Sequence, residues 1–429
     1  MRFWKLITVL CFIITLIALP LMTACGGDDE TPTESPTSSP TEPGEPTTEP
    51  ADEVTIKIGN LTDKTGPASQ AMQVVDMALK DLVRYYNENN FIPNVKLEVV
   101  DYDTQYDPSR DIPAYQWLVE RGVDFCYTGL PTTPLTLKSL VNKDEVVLFS
   151  SSGLEDLGDP PGWVFVINPA FSDVGESMLK WIAENDWDYE ADGPAKLGMA
   201  TWVTPAFEEF INGFNQYIDD HPEQFEWEGL FTEQPGTFTW DIPAQELKDA
   251  DYVFVPGAGM IPFVKTYRDA GGKATLLMTD SHIAFLGMLR DARLVDEMNG
   301  TLCFLPCRWW NEDAELVNLA KQLFVEYHGE SELEKQIRRG GAYMTSMHML
   351  HGMLEAVKKA VADFGAENFS SQTFYDSLTD FSINQGEAYR TWGWTDTDRF
   401  GYDYFRVYEF DGEKDDFIST GPDWYPYIQ

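Results

Sequence analysis

Several groupings in this chain have residue types and spacings that chemistry uses. Asp280, Ser281 and His282 stand together in "LLMTDSH", the side chains of an acyl-transfer triad. Residues adjacent in sequence rarely face one another as a triad must, and there is no GxSxG elbow to present a serine. His348 and His351 lie three apart on a helical stretch, but no HExxH pattern or further ligand cluster accompanies them. Packing between helices explains this pair better, and neither a metal nor a cofactor is expected. Gly257 and Gly259 follow the strand-like "YVFV" and precede a helix, with Asp280 about 20 residues on, as in part of a dinucleotide fingerprint. Pro262 takes the place of the third glycine, where helix and strand must pack closely, so a nucleotide-dependent enzyme is a minor alternative. Cys303 and Cys307 invite a disulfide. Extended chain would hold them about 13 Å apart, beyond the ~7 Å reach between Cα atoms. Only a turn at Pro306 would join them, and their pairing stays open. Cys126, in mid-strand, reads as a buried thiol.

Thr132 and Thr133 in "TGLPTTPL" follow a strand and open a helix. Hydroxyls and free backbone N–H groups at a helix N-terminus are suited to hold a carboxylate. A plain N-cap role for Thr132 accounts for the same residues equally well.

The elements that carry these residues alternate. "VTIKIG" reads as a strand and "QAMQVVDMALKDLVRYYNENN" as a helix. The pattern recurs through "VKLEVVDYD" and "DIPAYQWLVERG", "VDFCYTG" and "TPLTLKSLVN", and "VVLFSSS". It continues through "AKLGMAT" and "TPAFEEFINGFNQYI", "DYVFVPG" and "MIPFVKTYRDAG", and "KATLLMTD" and "IAFLGMLRDA". Such alternation predicts an α/β fold of parallel sheets covered on both faces by helices. There are too many strands for one sheet, so the chain is divided. The expected arrangement is two doubly wound parallel-sheet lobes joined by a multi-strand hinge, with lobe 1 at 54–167 plus 305–390 and lobe 2 at 168–304 plus 391–429. In open sheets ligands lie beyond the carboxyl ends of the strands, and two such sheets across a hinge make a cleft that can close.

The front of the chain is of another kind. Arg2 and Lys5 precede an apolar run from Leu6 to Ala24, the n- and h-regions of an export signal over residues 1–24. "LMTAC" resembles the bacterial lipobox, which implies cleavage before Cys25 and a thioether lipid upon it. From Cys25 to Glu53 the chain is rich in Thr, Pro, Ser and Glu, a composition that cannot recover the entropy of ordering. It reads as a tether, extended by about 3.1 Å per residue. The body behind it is therefore expected to be extracytoplasmic and anchored to a membrane. Of 429 residues 43% are hydrophobic and 14% aromatic, enough for two packed lobes, while the net charge of −41 argues against nucleic acid as a partner.

Taken in order, "IKIGNLTDKTGPAS", "LEVVDYDTQYDPSRDI", "LVERGVDFCYTGLPTTPL" and "DADYVFVPGAGMIPFVKTYRDAG" resemble the landmarks of type I periplasmic binding proteins. The likeness is to the leucine/isoleucine/valine-binding branch of ABC importer receptors, over nearly all of Val54 to about Gly412. The resemblance implies a cleft that grips an amino acid or related carboxylate by its charged ends and a closed form that docks on ABC permease subunits. It places Thr132 and Thr133 at the ligand carboxylate, with Ser151 and Ser152 in "FSSSGLEDL" on a second polar loop. Trp202 falls where the family has an aromatic cover, and Asp280 where an acidic residue accepts the ammonium group. Where the family has a glycine with an aromatic beside it, this chain has Met72 and Ala71, so leucine specificity is not implied. A tethered sensor using the same fold without transport is the other reading, although no kinase, coiled coil or second membrane span is present to receive a signal.

Overall fold

The computed structural model describes residues 53–387 and 392–428. The expected signal, Cys25 and nearly all of the tether lie outside the described residues.

The first sheet is built from β1 (Val54–Thr62), β2 (Val95–Asp103), β3 (Phe125–Thr128), β4 (Leu148–Ser150) and β5 (Val164–Val166). Its order is β2-β1-β3-β4-β5 and every pairing is parallel. Ile58 stands opposite Val99 on one side and Phe125 on the other, so apolar side chains share a face that helices must cover. The helix Ser69–Glu88 supplies part of that cover, burying Leu79, Leu82, Val83 and Tyr86 at helical spacing. It packs beside the longer helix Ala342–Phe364.

The second sheet contains β6 (Ala195–Trp202), β7 (Phe225–Glu233), β8 (Tyr252–Phe254), β9 (Thr275–Thr279) and β10 (Leu302–Leu305). These run parallel in the order β10-β9-β8-β6-β7. Alternation did not reveal β7, whose burial is patchy along its length as befits an edge strand. Nor did it reveal the chain's last strands. After β11 (Asp380–Ile383) and β12 (Trp392–Thr395), which pair as an antiparallel ribbon, come β13 (Tyr404–Asp411), β14 (Asp416–Ser419) and β15 (Tyr425–Pro426). The strand β13 lies antiparallel on β10 and is flanked by β14 and β15. The second sheet is thus mixed, with an antiparallel end on a parallel body.

The chain passes between the sheets at three places. Ile167 and Asn168 leave β5 and lead to the second sheet, and Pro306 and Cys307 follow β10 back toward the first. The third passage departs from the expected boundary at residue 390. Beyond that point β12 still belongs with the first sheet: Trp394 packs on Phe149 and Phe165, and its Nε1 donates to the Val166 carbonyl at 2.7 Å. The crossing comes at Gly401, whose backbone lies so close to Ile167 that a Cβ there would stand 2.3 Å from the Ile167 oxygen. Neighbouring bonds knit the passages together, from Val166 N–H to the Arg399 oxygen at 2.8 Å and from Gly393 N–H to the Gly401 oxygen at 2.9 Å. Cys303 and Cys307 are free, buried thiols, as is Cys126, whose thiol burial pushes up to about 12.

Candidate functional site

In the first sheet the strand order reverses between β1 and β3, and in the second between β6 and β8. A crevice opens beyond the carboxyl ends of the strands at such points. After β1, the Asp63 carboxylate accepts the N–H groups of Thr65, Gly66 and Ala68 at 3.1, 2.5 and 2.7 Å, which fixes the "NLTDKTGPAS" loop. Thr132 and Thr133 follow β3, and Trp202 ends β6. Topology alone therefore sets these expected residues beside crevices.

The carboxyl ends of β9 and β10 and the first crossing enclose a small cavity. Asn168, Phe171, Phe210, Asp280, Phe304 and Tyr427 are among its walls. Asp280 begins the short helical turn Asp280–Ile283, which Thr279 caps. Half-buried, Asp280 is in no ion pair among the described residues. Burial pushes its carboxyl up to about 6, against bonds from its own and the Ser281 N–H groups and from the Asn168 side chain. Asn168 also donates Nδ2–H to the Ser151 carbonyl at 2.8 Å. Asn168 thus holds the polar loop of the first sheet and stands with Asp280 in the wall of the same cavity. Phe171 stacks on Phe210 with ring centres 5.1 Å apart, so the wall beside the carboxyl is aromatic. The enclosed space is about 10 Å³, room for one water at most. Sites for small molecules begin at about 300 Å³, so a ligand at Asp280 requires the two sides to part along the crossings.

The other expected residues are placed less simply. Of the six, Asp280 alone lines this cavity, and Ser151 reaches it through Asn168. The Ser151 hydroxyl lies 3.1 Å from the Tyr127 hydroxyl. Ser152 is 3% exposed; its N–H donates to Ser150 Oγ at 3.0 Å, and its own hydroxyl is buried without a partner. Thr132 occupies the N-cap position of the helix Thr133–Asp144 but makes no side-chain cap bond. Thr133 points inward, donating to Asp111 Oδ1 at 3.1 Å, which leaves its backbone N–H, not its hydroxyl, for any anion. Trp202 donates Nε1–H to the Thr237 carbonyl at 2.9 Å and meets Phe238 edge-on, so it holds the loop after β7. Met72 is buried against Gly129, where a Cβ would lie 3.0 Å from the methionine methyl and 3.2 Å from the Tyr127 hydroxyl.

Sequence reasoning passed over Asn168, Phe171 and Tyr427 as site residues. Asn168 had a signal, a polar residue at a strand's carboxyl end just before Pro169. Tyr427, near the end of the chain, had none.

The rival groupings resolve into packing. His282 Nδ1 accepts the Thr279 N–H at 3.1 Å and Nε2–H donates to the Val255 carbonyl at 2.9 Å, so both nitrogens are used. Burial pushes the ring down to about 4 and keeps it neutral. His348 Nδ1 bonds to the Met344 carbonyl one turn back, and burial likewise pushes it down to about 4. The His351 ring meets Tyr86 edge-on. Among the described residues no three His, Cys, Asp or Glu side chains gather as metal ligands. Gly257 and Gly259 make room for rings: a Cβ on the first would lie 3.2 Å from Phe207, and one on the second 2.9 Å from Trp240.

A two-sheet body with crossing strands at its waist and a carboxyl-end crevice defines a ligand-binding protein of the hinged kind. The sequence profile of the periplasmic binding protein family matches residues 55–416, and the chain belongs to that family. It is a binding protein of a family that works outside the cytoplasm. No helix among the described residues is long and apolar enough to cross a membrane.

A search of curated proteins finds none that matches the sequence. Solved structures do match in fold. A branched-chain amino acid ABC transporter protein from Thermus thermophilus with bound valine is similar at a TM-score of 0.74 and 17% identity, over 87% of this chain and 97% of that one. A solute-binding protein from Rhodopseudomonas palustris BisB5 in complex with 3,4-dihydroxybenzoic acid is similar at 0.69 and 13% identity, covering 87% and 98%. A fatty acid ABC transporter substrate-binding protein from Thermomonospora curvata is similar at 0.71 and 12% identity, covering 88% and 94%.

Proposed function

We propose that this chain is the receptor of an ABC importer, tethered through a lipid on Cys25, and that it captures an amino acid or a related small carboxylate for a permease. The observation that carries the ligand class is Asp280. A carboxyl lifted by burial and lacking a cation is stabilised when an ammonium group arrives, because the pair restores the ionised form that burial disfavours. Phe171, Phe210 and Phe304 give an apolar body a surface to rest on. In this reading Thr132, Thr133, Ser151 and Ser152 receive the ligand carboxylate through backbone N–H groups and hydroxyls once the sheets part, and Trp202 covers the apolar portion. Binding then selects between open and closed arrangements.

The relatives in fold include proteins bound to valine and to 3,4-dihydroxybenzoate, one ligand with an ammonium group and one without. That contrast sets the test. Titration calorimetry against the standard amino acids and against benzoates and short fatty acids is expected to yield heats from amino acids. Binding confined to acids without an ammonium group overturns the role of Asp280.

A further inference from the structure

The stretch that follows β14 supplies one wall of the space at Asp280. Arg406 of β13 holds it down, donating from Nη1 to the Pro422 carbonyl at 2.8 Å and from Nη2 to the Gly421 carbonyl at 3.1 Å. Then β15 lies antiparallel on β13, with Tyr425 opposite Phe405 and Pro426 opposite Tyr404. Two N–H groups fasten what comes next. That of Tyr427 donates to the Asp403 carbonyl at 3.0 Å. That of Ile428 donates to Ser177 Oγ at 2.8 Å, on the helix Phe171–Asn185. Side chains alternate along a strand, and directly paired residues share a face. Tyr425 and Tyr427 therefore point the same way as Phe405, and so does Phe304, which stands opposite Val407. The ring of Phe405 accordingly meets those of Tyr427, Tyr425 and Phe304, with centres 5.0, 5.8 and 5.7 Å apart. Trp181, on the covering helix, meets both Phe304 and Tyr425 edge-on. Pro426 is exposed, whereas Tyr427 is only 7% exposed and lines the cavity.

All these fastenings are to the second sheet or to the helix beside it. Asp280, Phe171, Phe210 and Phe304 stand on the same side, while the remaining walls at Asn168, Pro169 and Pro306 lie in the crossings. When the two sides part along the crossings, Tyr427 thus stays with Asp280. We propose that Tyr427 is the floor of the ligand site and a determinant of its specificity: with an ammonium group at Asp280, the ring sets how long an apolar body the site admits. This rests on the functional reading above. The ring is suited to the task because the backbone is tied on both sides of it, to β13 before and to Ser177 after, so it does not swing aside for a larger guest. Room for one methylene more or less in an apolar pocket changes affinity by about tenfold or more, and a fixed wall therefore discriminates by length.

Titration calorimetry of the full chain with two homologous series tests the floor separately from the ligand class. One series runs from 2-aminobutyric to 2-aminodecanoic acid, and the other is the fatty acids of matching length. In whichever series binds, the wild type should have a length of tightest binding, and Tyr427→Phe should keep it. Tyr427→Ala should move it to longer chains, the long members gaining about tenfold or more on the short ones. Tyr427→Leu, a smaller truncation, should move it the same way by less, and decides the matter if Tyr427→Ala misfolds. Binding confined to the fatty acids overturns the amino-acid reading, and the floor is then judged by the length optimum of that series. A uniform weakening with the optimum unmoved shows that Tyr427 only packs the strap, and overturns the proposal. If neither series binds the wild type, benzylamine is the probe, since an apolar void left by a lost ring takes up an aromatic one. It should bind Tyr427→Ala and lose about tenfold or more when Asp280→Asn is added. No binding, or binding indifferent to Asp280, overturns the floor.

Discussion

Replacing Asp280 by Asn offers a sharp test of the site because it keeps shape and removes only the charge. Asp280 titrates near 6 before an ammonium ligand binds, and such a ligand favours the ionised form. Below that value a proton competes for the same oxygens, and wild-type affinity is divided by one plus the ratio of protonated to ionised carboxyl. That factor is about 1 at pH 7.5 and about tenfold at pH 5. A hydrogen bond to a charged group contributes about 2 kcal/mol, roughly a thirtyfold change in affinity. The wild type should thus bind the best amino acid roughly thirtyfold more tightly than Asp280→Asn at pH 7.5, but only about threefold more tightly at pH 5. Calorimetric dissociation constants for both proteins across this range give the ratio directly. Influences that the two proteins share cancel in it. A ratio that stays constant with pH, or one that grows toward acid, refutes the argument that an ionised Asp280 meets an ammonium group.

Two further outcomes are expected. Gly401→Ala forces a methyl into the 2.3 Å approach to the Ile167 oxygen, and overpacking of this kind costs about 2 kcal/mol; an unchanged urea midpoint would show that the third crossing is looser than described. Mass spectrometry of the mature protein from its native host should find Cys25 as the first residue carrying lipid. An unmodified Cys25 or an intact Met1 would remove the anchor from the proposal.

The βα alternation was legible because the inner parallel strands are buried on both faces and the crossover helices on one, so apolar runs and helical stripes print themselves in order. This is why "VTIKIG", "VDFCYTG" and "KATLLMTD" could be placed without a fold in hand. Among the strands that escaped notice, β7 is a half-exposed edge whose pattern is blurred, while β13 is largely buried but carries Arg406 and Glu409 within its apolar run. The boundary expected at residue 390 failed for a related reason. A tryptophan-rich strand such as β12 is apolar enough for either lobe, and only the contacts of Trp394 with Phe149, Phe165 and the Val166 carbonyl assign it to the first.

At the candidate site the division is similar. Thr132 and Thr133 could be singled out because a strand ends before them and a helix begins, which are local features, while Ser151, Ser152, Trp202 and Asp280 came from the family resemblance. What each side chain does is not local. Whether Thr133 spends its hydroxyl on Asp111, and whether Asn168 holds the Ser151 carbonyl beside Asp280, are matters of contact between segments far apart in the chain. The order of strands and helices thus follows from periodic burial along the sequence. Which carboxyls are left without cations, and hence which can answer to a ligand, is decided only when the two sheets bring distant loops together.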